Sequence, residues 1–390
     1  MAALTRFLFL SLLFLFPLVH SRTVSSDISA LKSFKASIDF SSIDPSSCLY
    51  SWNFSADPCS HHRRTAFTCG LDCDSSAAAH VIAITLSYGG YRGTLPRQLP
   101  LLTGLQLLDL SNNLLSGPIP PTIFPSLPSL ETLFLGSNRF SGSLPGTLTA
   151  LTSLHSLELS NNSLTGPIPR LLGSMCRLQL LDLSFNRFNG SLPAGLPPGL
   201  VTLELRGNSI SGVLARASFQ RLRSLATLDL GGNLLQDVAP PWLFLLPSLQ
   251  QLDLSGNRLT GVQIWIPGRG EASGLVAVNL GFNRITGLLS SNFTGYPSLR
   301  SLDLGHNNLC GGIPPAYGRR GGSLRRLFLE GNFLTGRPPP ALLSGGSLDA
   351  GDLSDNCLTG CRSSWAMCKL PQKSAAKCRV KCRAADRRGG

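Results

Sequence analysis

The sequence is periodic, and the period leaves few folds open to it. Residues 105–120, LQLLDLSNNLLSGPIP, return in altered form at 154–169 as LHSLELSNNSLTGPIP and at 299–314 as LRSLDLGHNNLCGGIP. Self-similarity at about 24 residues marks a chain of stacked supersecondary units, none of which can bury its apolar face alone. Anchoring each copy on its asparagine gives Gly89, a departure, then Asn113, Asn138, Asn162, Asn186, Asn208, Asn233, Asn257, Asn283, Asn307, Asn332 and Asn356, twelve copies in all.

Three residues before each anchor stands leucine, from Leu86 to Leu353, and five before stands an apolar residue except at Gly351. Alternation of period two predicts a short strand with one face buried. Four residues after the anchor is glycine in eleven copies, Asp237 being the exception, as expected of a turn that needs positive φ. A chain leaving a strand into a tight turn strands backbone donors and acceptors inside the coil. Asparagine carries both complementary groups on one short side chain, so stacked copies predict a ladder. The fold expected is an α/β solenoid, a right-handed superhelix with a parallel sheet on its concave face and a cap at each end.

The pattern LxxLxLxxNxLxGxIP, with Ile119–Pro120, Ile168–Pro169 and Ile313–Pro314, resembles the plant-specific leucine-rich-repeat class over about residues 81 to 360. Ahead of it, Ala30, Leu31, Phe34 and Lys35, then Ser51, Trp52, Asp57, Pro58 and Cys59, resemble the N-terminal cap of plant receptor-like proteins, from which the chain departs by a longer cysteine gap and the extra Cys48 and Cys73. After the last repeat, Asn356 to Cys361 and Cys368 resemble the C-terminal cap of the same family. The organisation expected is a signal peptide over 1–21, a cysteine-containing cap over 22–80, about twelve repeats over 81–360, and a cysteine-containing cap with a basic tail over 361–390. The signal rests on Arg6, an apolar run from Phe7 to Phe16 too short to span a bilayer, and a cleavage site after Ser21. No second apolar stretch of spanning length follows, so a mature chain without a transmembrane segment is expected, in the extracellular space or cell wall.

Only 14% of residues are charged and 43% are apolar, which excludes a wholly disordered chain. The net charge of +13 is uneven. Residues 369–390 hold eight basic residues and one acidic, a net +7, either a solvated terminus or an attachment to acidic wall polysaccharide. Nucleic acid is not an expected partner of a secreted chain. Of eleven cysteines, Cys48, Cys59, Cys69 and Cys73 precede the repeats and Cys357, Cys361, Cys368, Cys378 and Cys382 follow them; these nine are disulfide candidates with connectivity left open. The odd total leaves at least one thiol unpaired in a monomer, and Cys176 and Cys310, inside the repeats, read as buried packing. Asn53, Asn161, Asn189 and Asn292 are glycosylation acceptors.

No GxSxG, Walker loop or GxGxxG after a strand occurs, and His61 and His62, the best-placed metal ligands, lack a recognised spacing. The reading is of no enzyme, no cofactor and no metal site. Recognition is expected on the concave face. Four residues before each anchor the series runs Thr85, Asp109, Phe134, Glu158, Asp182, Glu204, Asp229, Asp253, Asn279, Asp303, Phe328, Asp352, eight of them acidic, with Arg206 the one basic group beside the central run. This stripe suits a basic partner or is a habitual repeat residue bonded to neighbouring Ser and Asn.

Departures from the template point more sharply to contact with a partner, because a scaffold has no reason to put a large apolar group where water is expected. They are Phe134 and Phe328 in the stripe, Arg326 beside Phe328, and Phe185, Phe282 and His306 one residue before the anchor, with Tyr88 in the equivalent slot. Arg139, Arg187, Arg258 and Arg284, just after the anchor, form a lateral row that reads a glycan or solvates an edge. The resemblance implies a non-enzymatic extracellular recognition protein, a co-receptor or ligand trap in signalling or defence, whose partner is a peptide or protein such as a receptor kinase ectodomain. The alternatives are an inhibitor of a pectin-degrading enzyme, similar to polygalacturonase inhibitors, and a structural wall protein held by its tail.

Overall fold

The computed structural model describes residues 22–60, 69–268, 273–319, 321–343, 348–362 and 365–378. The expected signal, His61, His62, Cys382 and most of the basic tail lie outside them. Among the described residues the largest sheet has thirteen strands: Leu71–Cys73 pairs antiparallel with Val81–Thr85, and eleven further parallel strands follow in chain order to Ala350–Asp352. Each repeat strand is three residues long beyond the first. Leu228 and Leu230, for instance, point inward and are fully buried, while Asp229 between them faces out of the concave side.

Asparagines close the coil as expected. Asn257 Nδ2 donates to the carbonyls of Leu230 (2.9 Å), Leu254 (3.1 Å) and Ser255 (3.1 Å), and its Oδ1 accepts from Leu235 N at 2.9 Å. The same set recurs from Asn138 to Asn356, always reaching one repeat back. Gly89 departs because the first repeat has the cap behind it: a Cβ there would strike the Tyr91 ring, whose hydroxyl accepts from Leu49 N of the cap. At the other end Gln372 takes the place of a thirteenth anchor. Its Oε1 accepts from Leu358 N (3.1 Å) and its Nε2 donates to Leu353 O (3.2 Å). Gly351 departs because the Leu327 carbonyl and Met367 of the cap fill its space; a Cβ would strike Leu327 O and lie 2.5 Å from Met367 Cε.

A second parallel ladder was not expected from the sequence. Beyond the anchor the chain extends again, giving eight strands from Arg92–Gly93 to Arg258–Val262 and four from Thr286–Leu288 to Cys357–Leu358. These form a flank beside the concave sheet. The ladder breaks after Val262, in the longest repeat. Ten of the eleven turn glycines, and Asp237, have positive φ; Gly261 does not, and it lies opposite a register shift at Asp237 and Val238. The convex side is made mostly of short 3-10 turns such as Gly146–Ala150 and Pro241–Leu245.

The N-terminal cap packs helix Ser25–Ala36 over the first repeat through Ala30, Leu31 and Phe34. Trp52 packs on Phe34 and donates to Cys69 O. Asp27, wholly buried, accepts from Val81 N at 2.9 Å, which ties the helix to the first repeat strand. The cap disulfides are Cys48–Cys69 and Cys59–Cys73, and the C-terminal ones Cys357–Cys378 and Cys361–Cys368. The reading of Cys176 and Cys310 as buried packing fails for Cys176 and holds only in part for Cys310, which is buried but not an unpaired thiol. Cys310 is disulfide-bonded, and Cys176 is the free cysteine among the described residues and is exposed on a convex turn, where the spacing of apolar residues makes no use of it.

Candidate recognition face

The outward residues of the concave sheet line up because consecutive strands pair without slip. Phe134 stands opposite Glu158, then Asp182, Glu204, Asp229, Asp253, Asn279, Asp303, Phe328 and Asp352 in register. Neighbours are about 4.8 Å apart, the spacing of adjacent strands. The aspartates have a local duty: Asp109, Asp182, Asp229, Asp253, Asp303 and Asp352 each accept from the backbone N–H two residues on, at 2.8–2.9 Å. That satisfies a donor at the strand's end, so the habitual-residue reading accounts for much of the stripe.

It does not account for the glutamates. Glu204 makes no such bond, and Glu158 reaches only Ser160 Oγ at 3.4 Å. Burial, and then Asp182, push the Glu158 carboxyl above its ordinary range. Burial, then Asp182, Asp229 and Glu158, do the same to Glu204. Asp229 and Asp303 are also raised, chiefly by burial. Arg206 offsets part of this by bridging Asp229 (3.5 Å) and Asp253 (3.1 Å), and Asn279 Nδ2 donates to Asp253. Glu204, Asp229, Asp253, Asn279 and Asp303 line a depression of about 340 Å³ that runs to the half-buried Phe328.

Beside the sheet runs a ledge formed by the residue before each anchor. Every repeat takes left-handed backbone there. Gly207, Gly232, Gly256 and Gly331 do so freely, and Asn112, Asn161, Ser137 and Asp355 are short polar residues. Tyr88, Phe185, Phe282 and His306 hold the same conformation with φ of 52–57°, in a region that costs bulky residues about 1 kcal/mol or more. Packing returns little, since Tyr88 is 80% exposed, Phe282 63% and Phe185 55%. Phe282 stacks on His306 at 4.3 Å between ring centroids, and Phe185 leans over Gly207.

The structure thus brings Phe282, His306, Phe328 and Arg326 together toward the C-terminal end of the face, with Arg206 and Phe185 near its middle. Phe134 stands apart, eight strands from Phe328, about 40 Å along the sheet. The ledge's left-handed geometry was missed in the sequence, although the alternation of Gly and Asn in that slot is its signal. Glu330, two residues after Phe328, was missed as well; its carboxyl is raised chiefly by burial and its Oε2 is buried without a hydrogen bond. Arg139, Arg187 and Arg258 open flank strands and Arg284 lies at the flank's break; all four are exposed and off the concave face. Asn53, Asn161 and Asn189 are exposed, while Asn292 is half-buried with its Nδ2 donating to Ile264 O. Among the described residues no three His, Cys, Asp or Glu side chains converge as metal ligands, and no helix is long and apolar enough to cross a membrane.

Comparison with known proteins agrees with this geometry. Leucine-rich-repeat family models match residues 104–125, 129–151, 153–175, 177–198, 198–259 and 273–334, together more than half of the chain, and the leucine-rich-repeat N-terminal domain matches 24–62. The calmodulin-binding receptor kinase CaMRLK of Arabidopsis thaliana is 35% identical over 137 residues, 35% of this chain and 20% of that protein. Receptor-like protein 32 of the same plant is 34% identical over 134 residues, 33% of this chain and 15% of that protein. The chain therefore spans a fifth or less of these relatives. Among solved structures, the leucine-rich-repeat ectodomain of the Arabidopsis receptor kinase HAESA in complex with an IDA peptide hormone ligand is similar with a TM-score of 0.63 and 28% identity, covering 86% of this chain and 58% of that one. By its repeats, its cap and these relatives, the chain belongs to the leucine-rich-repeat family, with plant receptor-like proteins and receptor ectodomains as its kin.

Proposed function

We propose that this chain is a non-enzymatic extracellular recognition protein that holds an extended peptide or protein segment along its concave face, in signalling or defence. The observation that carries this reading is the ledge. Bulky exposed aromatics occupy left-handed positions that glycine fills without strain in neighbouring repeats, and neither the backbone nor the core gains from them. Contact with a partner does gain, because rigid aromatics and arginine supply most of the energy at protein interfaces. A face about 40 Å long between Phe134 and Phe328 suits an extended segment better than a compact small molecule. The peptide hormone ligand held by the HAESA ectodomain supports the same reading by analogy of fold. With it go secretion, glycosylation at the exposed acceptors, and an extracellular or cell-wall location.

The test is a pull-down from plant extracellular fluid with the secreted protein and a Phe134→Asp, Phe328→Asp variant, each washed at low and moderate salt. A protein partner retained by the parent and lost by the variant is expected. Release of polysaccharide alone, by salt and from both proteins equally, contradicts the reading and makes the basic tail the functional element.

A further inference from the structure

Resting on that reading, we infer that the segment held on the face is cationic, and that an arginine or lysine side chain of the partner seats over Glu158, Asp182 and Glu204. These three carboxylates stand on consecutive strands in register. Among the described residues no ion pair reaches any of them, whereas the next two along the row, Asp229 and Asp253, share Arg206. At about 5 Å separation partly buried like charges repel one another, and no cation among the described residues offsets this.

Two further features point to a ligand at this stretch. Ser184 lies in the row whose hydroxyl at Ser111 bonds the stripe carboxylate Asp109 at 2.7 Å. The Ser184 side chain is 4% exposed and its Oγ is buried without a hydrogen-bond partner beside Asp182. Aromatic rings bound the same stretch, Phe134 opposite Glu158 on the preceding strand and Phe185 on the ledge three residues beyond Asp182. Carboxylates on the floor and ring faces at the side match a guanidinium or ammonium group, by charge-assisted hydrogen bonds and cation–π contact. The chain's net +13 works against any polycation at long range, but screening within about 8 Å at physiological salt leaves the local face to decide.

The experiment uses the full secreted chain and a labelled probe peptide, acetyl-(Gly-Arg)4-amide, followed by fluorescence anisotropy at pH 7. Its neutral counterpart replaces each arginine with citrulline. The arginine peptide is expected to bind at least tenfold more tightly than the citrulline one. The isosteric triple variant Glu158→Gln, Asp182→Asn, Glu204→Gln is expected to lose at least tenfold in affinity. A control triple variant with the same charge change at exposed positions off the face, Asp39→Asn, Asp44→Asn, Asp237→Asn, is expected to stay within twofold. Equal losses in the two variants, equal binding of the two peptides, or no binding of either overturns the inference. If a natural partner is captured by the parent and also by the Glu158, Asp182, Glu204 variant, recognition on the face stands and its cationic character falls.

Discussion

Asn257→Ala is expected to lower the unfolding free energy by about 3–4 kcal/mol, most of the stability of a marginal domain. The side chain is buried, so its removal leaves Leu235 N–H without its acceptor and takes one bond each from the carbonyls of Leu230, Leu254 and Ser255. A stranded buried donor costs about 1–3 kcal/mol and each lost bond about 1 kcal/mol, the carbonyls being partly compensated by their other partners. Leu254 O, for one, still accepts from Asn283. Asn257→Asp should be no milder, since it aims a carboxylate at three carbonyl oxygens. Urea unfolding measures the loss, and hydrogen exchange should place it in the strands around Leu234–Ala239 and Gln251–Asp253, because repeats couple mainly to their neighbours. A loss below about 1 kcal/mol would show that the ladder is ornamental.

Phe185→Gly with Phe282→Gly is expected to separate binding from folding. Glycine relieves the left-handed strain at both positions, gives up the stacking of Phe282 on His306, and costs chain entropy. Those contributions are each about 1 kcal/mol and oppose one another, so stability should move by no more than about 1 kcal/mol. Partner affinity should fall about 30-fold or more, as expected when a central aromatic anchor worth about 2 kcal/mol is removed. Titration of the captured partner against both proteins gives the affinities, and thermal unfolding gives the stabilities. Unchanged affinity would return the ledge aromatics to mere surface packing.

The fold was legible because the repeat states it many times over. The apolar residue at minus five, the leucine at minus three, the asparagine and the following glycine each encode one local requirement, and twelve copies leave no ambiguity of register. What the sequence concealed lies where one residue stands in for another. Gln372 continues the asparagine ladder from a cap with no repeat pattern, and Gly351 looks like a broken strand until Met367 is seen filling its place. The flank ladder was hidden because its short, half-exposed strands carry no apolar alternation of their own.

The site was legible in its parts but not in its geometry. Phe185, Phe282 and His306 stand out as departures from the template, yet only the backbone shows that they share a strained slot with Gly207 and Gly331. The acidic series could be read directly, but its division could not. All six of its aspartates cap backbone donors, while Glu158 and Glu204 do not. Pairing of Cys310 was likewise invisible, because spacing along the chain says little about distance across a coil.

The most direct test of recognition on this face is hydroxyl-radical footprinting of the protein with and without its captured partner. The exposed aromatics Phe40 and Trp265, on the cap and beyond the flank strand, serve as internal controls. The account predicts that oxidation at Phe185, Phe282, His306 and Phe328 falls severalfold in the complex while Phe40 and Trp265 are unchanged. Protection at Phe40 or Trp265 with the ledge still fully reactive would contradict it.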